Sequence, residues 1–340
     1  MADQLKFSTN LQAINQHEFG LLAEAYRREL HAHCYRMLGS IQEAEEMVQE
    51  TLWRAWNRRN TFEGRSTIRA WLYKIATNLC IDTLRQKPRR LLPVIRENAS
   101  NSDEPIPASI NEPIWLEPYP FELPDSVDAN PEAKYSMAES IRLAFLTSLH
   151  LLPARQRAVL ILRDVLDWQT EEVADALGQT VSSVKSALHR ARTTLAKHHQ
   201  ALHTETLNEY LTDEQLRNQL DGYVKAWETA DVDGLVALLR DDSIFSMPPI
   251  PSWYRGSQNI GALVRKTIFS GQASGRWRLL PTRANAQTGF GLYKLNEETG
   301  AYAGYGIQVV TFDGKQIIDI TTFRNPDLMA LFGLPSTLTA

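Results

Sequence analysis

The sequence predicts a multidomain chain in which two all-α domains are followed by an α+β domain, and three observations predict it. First, apolar residues recur at helical spacing from about Gln16 to Gln86, as in Ala44, Val48, Leu52 and Ala55 and again in Ile68, Leu72, Ile75 and Leu79. Second, nine of the 16 prolines fall between Lys87 and Glu132, the composition of an extended linker. Third, the pattern changes near the carboxyl end to strand-like runs at Trp277 to Leu280, Phe290 to Leu295, Tyr302 to Phe312 and Gln316 to Phe323. Asp313-Gly314 between the last two is a strong hairpin signal.

Taken in order, the first helical domain spans residues 12–88 and the linker residues 89–132. A second helical domain spans residues 133–203, with breaks at Leu152-Pro153 and at Gly178-Gln179-Thr180. The third domain, residues 210–334, opens with an amphipathic helix carrying Leu216, Leu220, Tyr223, Val224 and Trp227, and strands follow. A chain of 340 residues with 43% hydrophobic residues has enough apolar surface for two or three cores.

The formal net charge of −4 is mildly acidic, yet its placement is uneven. Arg85, Lys87, Arg89 and Arg90 cluster, as do Lys185, His189, Arg190, Arg192 and Lys197, while Glu43, Glu45, Glu46 and Glu50 concentrate elsewhere. Cys34 and Cys80 sit in apolar helical patterns outside any CxxC or Cys/His spacing, which predicts buried thiols in a reducing compartment and calls for no metal. No apolar run has the length of a signal peptide or of a membrane span, so the expectation is a cytoplasmic chain without membrane insertion.

The clearest chemical signal is two short helical patterns meeting at Gly178. Val173, Ala174 and Leu177 on the first, and Val184, Leu188, Ala191 and Leu195 on the second, give each an apolar face for mutual packing. Thr180 is placed to cap the second helix, which sets Ser182, Lys185, Ser186 and His189 on one exposed stripe. Short hydroxyl side chains reach base edges or phosphates near a helix start, and Lys or Arg add a salt-dependent phosphate contact. The predicted DNA-reading set is therefore Ser182, Ser183, Lys185, Ser186, His189, Arg190 and Arg192.

The run Val184-Lys185-Ser186-Ala187-Leu188-His189-Arg190-Ala191-Arg192 resembles region 4 of the extracytoplasmic-function sigma factors, with Ala187 where that family usually has Arg. Leu152-Pro153-Ala154-Arg155-Gln156-Arg157-Ala158-Val159 is similar to the segment that precedes it. Independently, Glu43 to Thr51 and Phe62 to Asn78 resemble two stretches of that family's region 2. The resemblance implies that region 4 binds the −35 element. It implies that Glu46, Gln49 and Glu50 dock on the coiled coil of the largest subunit of core RNA polymerase, and that Phe62, Arg65, Arg69, Lys74 and Asn78 face the −10 element of promoter DNA. Opening a duplex needs a pocket for an unstacked base, aromatic surface and cations, which these residue types supply. Trp71 is read as core rather than as a base-stacking surface.

The linker is implied to thread through the polymerase, and its Trp115-Leu116-Glu117-Pro118-Tyr119-Pro120 knot resembles a motif of family members with a carboxyl-terminal extension. That extension resembles a SnoaL-like domain of the nuclear transport factor 2 superfamily, an α+β SnoaL-like cone. It is expected to regulate, with Trp115, Asp313, Gly314 and Lys315 as contact elements. The rival reading is a bifunctional protein whose third domain binds or converts a small molecule. No histidine follows His203, which would leave acid-base work to Asp242, Asp319 or Tyr254, residues more simply read as surface or hairpin polar groups. The expectation is a sigma factor and not an enzyme, with no cofactor. No residue pattern identifies a ligand for the cone or a separate anti-sigma partner, and both stay open.

Overall fold

The structure, a computed structural model, describes residues 15–62, 64, 66–87, 89–96, 98–110, 115–120, 138–201 and 213–339. Arg65, the linker from residue 121 to 132 and the polar stretch after residue 201 lie outside the described residues. The chain divides into two compact units, Met1–Arg90 with Leu123–His203 and Leu91–Glu122 with Thr204–Ala340.

The first unit is helical. Helix α1 (Gln16–Leu38) begins at a reciprocal capping box: the Asn15 side chain accepts from the Glu18 backbone N–H, and the Glu18 carboxylate accepts from the Asn15 N–H, each at 3.0 Å. It ends at Gly39, whose φ of 74° closes the last turn. Helices α2 (Ile41–Arg58) and α3 (Ile68–Gln86) are capped by the Ser40 and Thr67 hydroxyls. Leu30, Tyr35 and Ala76 are buried between the three with the expected Ala44, Val48, Leu52, Ala55, Leu72 and Leu79, while Ile68 and Ile75 are half-buried. Cys34 and Cys80 are both free thiols within this core.

Among the described residues of the same unit follow the helices α4 (Leu143–His150), α5 (Ala154–Leu160), α6 (Thr170–Leu177) and α7 (Val181–Ala201). They pack directly against the first three, and the junction is polar. Arg157, 1% exposed, donates to the carbonyls of Met37 at the end of α1 and of His150 and Leu152 at the end of α4. Helix carboxyl ends carry partial negative charge, which favours a guanidinium there, and the His150 Nδ1 lies 3.4 Å from the same group, but burial still lowers Arg157 to about 9. Arg36 donates to Ser140, and the His150 Nε2 lies 3.2 Å from the Arg36 carbonyl.

The second unit is the α+β domain. Helices α8 (Asp213–Thr229), α9 (Val232–Leu238) and α10 (Ser257–Lys266) accompany strands β1 (Leu239–Ser246), β2 (Trp253–Arg255), β3 (Trp277–Ala284), β4 (Gln287–Leu295), β5 (Tyr302–Asp313), β6 (Gln316–Phe323) and β7 (Thr337–Leu338). The sheet order is β2-β1-β6-β5-β4-β3, with β7 on β5 and only β1 and β6 parallel among the described pairs. Between helices and sheet lies an aromatic core. Trp227 meets Phe269 and Trp277 edge-on at 5.3 and 5.9 Å, and Tyr223 stacks on Phe290 at 5.5 Å.

After a helical turn at Pro93–Arg96, described residues 98–110 and 115–120 of the proline-rich segment form no further helix, and many of their backbone groups are bonded to the rest of this second unit. The Ser100 N–H donates to the Trp253 carbonyl at 2.7 Å, and Asn259 grips the chain by accepting from the Ser102 N–H and donating to the Ser100 carbonyl. Ile106 packs on the aromatic core, and the Ile110 N–H donates to the Pro249 carbonyl. Further on, Tyr119 and Asn285 exchange two bonds, Tyr119 N–H to Asn285 Oδ1 at 2.9 Å and Asn285 N–H to the Tyr119 carbonyl at 2.8 Å. Extended backbone leaves its donors and acceptors unpaired within the segment, and here a neighbouring domain pairs them.

Candidate nucleic-acid interface

In the first unit a pocket of about 430 Å³ lies between the loop that follows α2 and the amino-terminal half of α3. Its lining includes Phe62, Gly64, Lys74 and Asn78, with Arg54, Arg58 and Trp71. Gly64 adopts φ of 70°, the left-handed conformation that turns this loop. Phe62, Lys74 and Asn78 therefore converge on one cavity whose lining carries both cations and aromatic rings. Trp71 is half-buried, not core: it forms part of the wall with its ring 5.3 Å from that of Phe62.

Arg69 does not join them. Its guanidinium donates to both Glu29 carboxylate oxygens, at 2.9 and 3.2 Å, and lies 5.0 Å from the Tyr73 ring centre. Burial works against its charge, but Tyr73 and Glu29 outweigh burial and hold it above its ordinary value. Its visible role is to tie α3 to α1.

The helix-turn-helix is formed by α6 and α7. Gly178 turns the chain at φ of 60°, and the Thr180 hydroxyl accepts from the Ser183 N–H at 3.1 Å as the cap of α7. Val184, Ala187 and Ala191 are buried, whereas Ser182, Ser183, Lys185, Ser186, His189 and Arg190 are exposed. The burial of Ala187 gives a physical reason for a small side chain where the family usually has Arg. Arg192, also exposed, is engaged by a bidentate pair with Asp164.

On α2, Glu46 and Gln49 are exposed, and Glu50, half-buried, accepts from Arg54 at 2.6 Å. The sequence reading missed Trp53. It stands 62% exposed three and four residues beyond Glu50 and Gln49, completing one stripe of the helix. The signal was available: Trp53 falls outside the Ala44, Val48, Leu52 and Ala55 face, so helical spacing alone turns it to solvent.

In the second unit, Asp313 forms an ion pair with Arg240 at 2.6 Å beside Asp242, Gly314 turns the hairpin at φ of 54°, and Lys315 is exposed. Trp115 is 7% exposed and bridges to Leu91. Two residues expected as surface or hairpin groups are placed otherwise: Tyr254 is buried in β2, and Asp319, under the Thr321 hydroxyl, has its carboxyl pushed up by burial to about 7. No cluster of three or more metal-ligating side chains occurs among the described residues, and no helix among them is long and apolar enough to cross a membrane.

The family model of sigma-70 region 2 matches residues 22–90, and that of sigma-70 region 4 matches residues 142–195. The ECF RNA polymerase sigma factor SigG of Mycobacterium tuberculosis is 38% identical over 327 residues, which cover 94% of this chain and 85% of SigG. SigW of Bacillus subtilis is 28% identical over 184 residues, 54% of this chain and 89% of SigW. The crystal structure of the Mycobacterium tuberculosis extracytoplasmic-function sigma factor SigJ superposes with a TM-score of 0.56 at 23% identity, over 92% of this chain and 98% of that one, so the fold is shared beyond the two helical regions. The chain thus belongs to the extracytoplasmic-function sigma factors of the sigma-70 family, which bind core RNA polymerase and direct it to promoter DNA.

Proposed function

We propose that the pocket under Lys74 and Asn78 receives an unstacked base of the −10 element, and that the exposed stripe of α7 reads the −35 element. The convergence of Phe62, Lys74 and Asn78 on one cavity carries the reading. A flipped base needs an enclosed, partly aromatic site, and the displaced strand needs cations beside it, which Lys74, Arg54 and Arg58 supply. Polymerase docks on the α2 stripe of Glu46, Gln49, Glu50 and Trp53, where carboxylates suit a basic helical surface and the tryptophan offers an apolar anchor.

The third domain is the regulator, and it acts by holding the linker. A segment gripped by Asn259, Pro249 and Asn285 cannot thread elsewhere until those bonds break. We assign no catalysis to this domain: Asp242 is committed to Arg240, the Asp319 carboxyl accepts from the Thr321 hydroxyl at 2.8 Å, and the Tyr223 hydroxyl donates to Gln308, whose amide donates to Thr322. The site of action is the cytoplasm, with the polymerase.

Run-off transcription with core polymerase tests the whole reading, using the full chain, a version ending at residue 203, and Lys74→Ala with Asn78→Ala. The pocket variant should bind polymerase normally and fail to open promoters. Normal opening by that variant would discard the pocket assignment, and equal activity of full and shortened chains would discard the regulator.

A further inference from the structure

The pocket is not lined by one domain alone. Asp175, on the first helix of the helix-turn-helix, is among its lining residues. Its carboxylate lies 3.1 Å from the Lys74 ammonium, and one residue on, the Ala176 carbonyl accepts from the Asn78 side-chain amide at 3.3 Å. Both side chains proposed to meet the −10 strand are thus engaged by α6. The same seam is held by packing: Trp168, 7% exposed and just before α6, meets the Tyr73 ring edge-on at 5.9 Å. These contacts lie within one compact unit.

A carboxylate beside a lysine in a pocket lining offers that lysine the negative charge a strand phosphate would offer, and a backbone carbonyl on a side-chain amide offers the acceptor a base or sugar would. We propose that α6 is an internal gate on the region 2 pocket, with Asp175 standing in for a nucleic-acid phosphate until DNA displaces it. The inference rests on the pocket being the single-strand site. It links the two DNA-reading elements: in the closed arrangement the −35 reader covers the −10 reader, so strand capture requires the helix-turn-helix to move away. The gate is weak by construction, because the side chains of Lys74 and Asp175 are 42% and 81% exposed, and such a pair competes poorly against a polyanion.

The test is fluorescence anisotropy of the free full-length chain with a labelled single-stranded 12-nucleotide oligothymidylate at low salt. Asp175→Ala should tighten binding about two- to fivefold, the range an exposed ion pair commands. Glu171→Ala removes another exposed carboxylate of α6, outside the pocket lining, and should leave the affinity unchanged. Equal effects of Asp175→Ala and Glu171→Ala would reduce the result to net charge and overturn the gate. So would no effect of Asp175→Ala while Lys74→Ala still weakens binding. If Lys74→Ala also changes nothing, the pocket is not the strand site, and the underlying reading falls with the gate. Circular dichroism on each variant verifies that the helices persist.

Discussion

Arg192 and Asp164 form a two-pronged pair, Nε to Oδ2 at 2.9 Å and Nη2 to Oδ1 at 2.7 Å, which fastens the middle of α7 to the π-helical turn after α5. Arg192 is 59% exposed, so the pair is worth about 0.5 kcal/mol. Arg192→Ala and Asp164→Asn should each lower the urea midpoint slightly and to the same extent. If Arg192 instead contacts promoter DNA, only its own substitution will weaken −35 binding, a divergence that a gel-shift titration detects.

Among the described residues no hydrogen bond or ion pair of the Lys185 side chain occurs, and Lys185 is exposed with Ser182, Ser186 and His189. Lys185→Ala should weaken −35 binding by about 1–3 kcal/mol if it reads a base, or reduce the dependence of log affinity on log salt by about one if it meets a phosphate. A salt titration separates the two. A variant that moves neither quantity removes α7 from the interface.

Trp53 is the largest exposed apolar side chain on α2, and docked tryptophans commonly dominate binding energy. Trp53→Ala should weaken core polymerase binding by about tenfold or more with little change in folding stability. Paired with Glu46→Lys, the experiment distinguishes an error about the anchor from an error about the helix: a loss with Glu46→Lys alone would restrict the interface to the carboxylates.

Two buried histidines make the first unit acid-sensitive. Burial, with Arg36 and Arg69 nearby, lowers His33 to about 3, and burial with Arg157 lowers His150 well below its ordinary value. In the unfolded chain both take up a proton near pH 6.5, whereas the folded chain keeps them neutral, so stability is fully present above 6.5 and falls as pH drops below it. For His33 the loss continues down to about pH 3, at about 1.4 kcal/mol per pH unit. Below about pH 5.5, while both histidines contribute, urea unfolding should show about twice this slope, and His33→Leu should remove one proton's worth, about half of it. An unaltered slope in that variant would mean that His33 is accessible to protons when folded.

Asn285 answers both backbone groups of Tyr119, one through its side chain. Asn285→Ala should loosen residues 115–120 by about 1–2 kcal/mol, visible as faster hydrogen exchange at the Tyr119 amide. If the third domain regulates by gripping the linker, the run-off activity of this variant should shift toward that of the chain ending at residue 203. Faster exchange with unchanged transcription would separate the grip from regulation.

The helices, the Thr180 cap and the helix-turn-helix were legible because they depend on residues three or four apart, as Thr180 with Ser183 and the buried faces of α2 and α3. The β5-β6 hairpin was legible for the same reason, since Asp313-Gly314 fixes its turn locally. Residue types also announced the exposed basic face of α7 and the exposed acidic face of α2. Which polar groups stay free for a partner was decided only in three dimensions. Arg69 meets Glu29 40 positions away, Arg192 meets Asp164 at 28, Lys74 meets Asp175 at 101, and Tyr119 meets Asn285 at 166. A charged or amide side chain looks the same in sequence whether it faces solvent, DNA or its own chain. The choice depends on which elements packing brings within about 3 Å, and that is set by the apolar cores and not by the polar residues themselves.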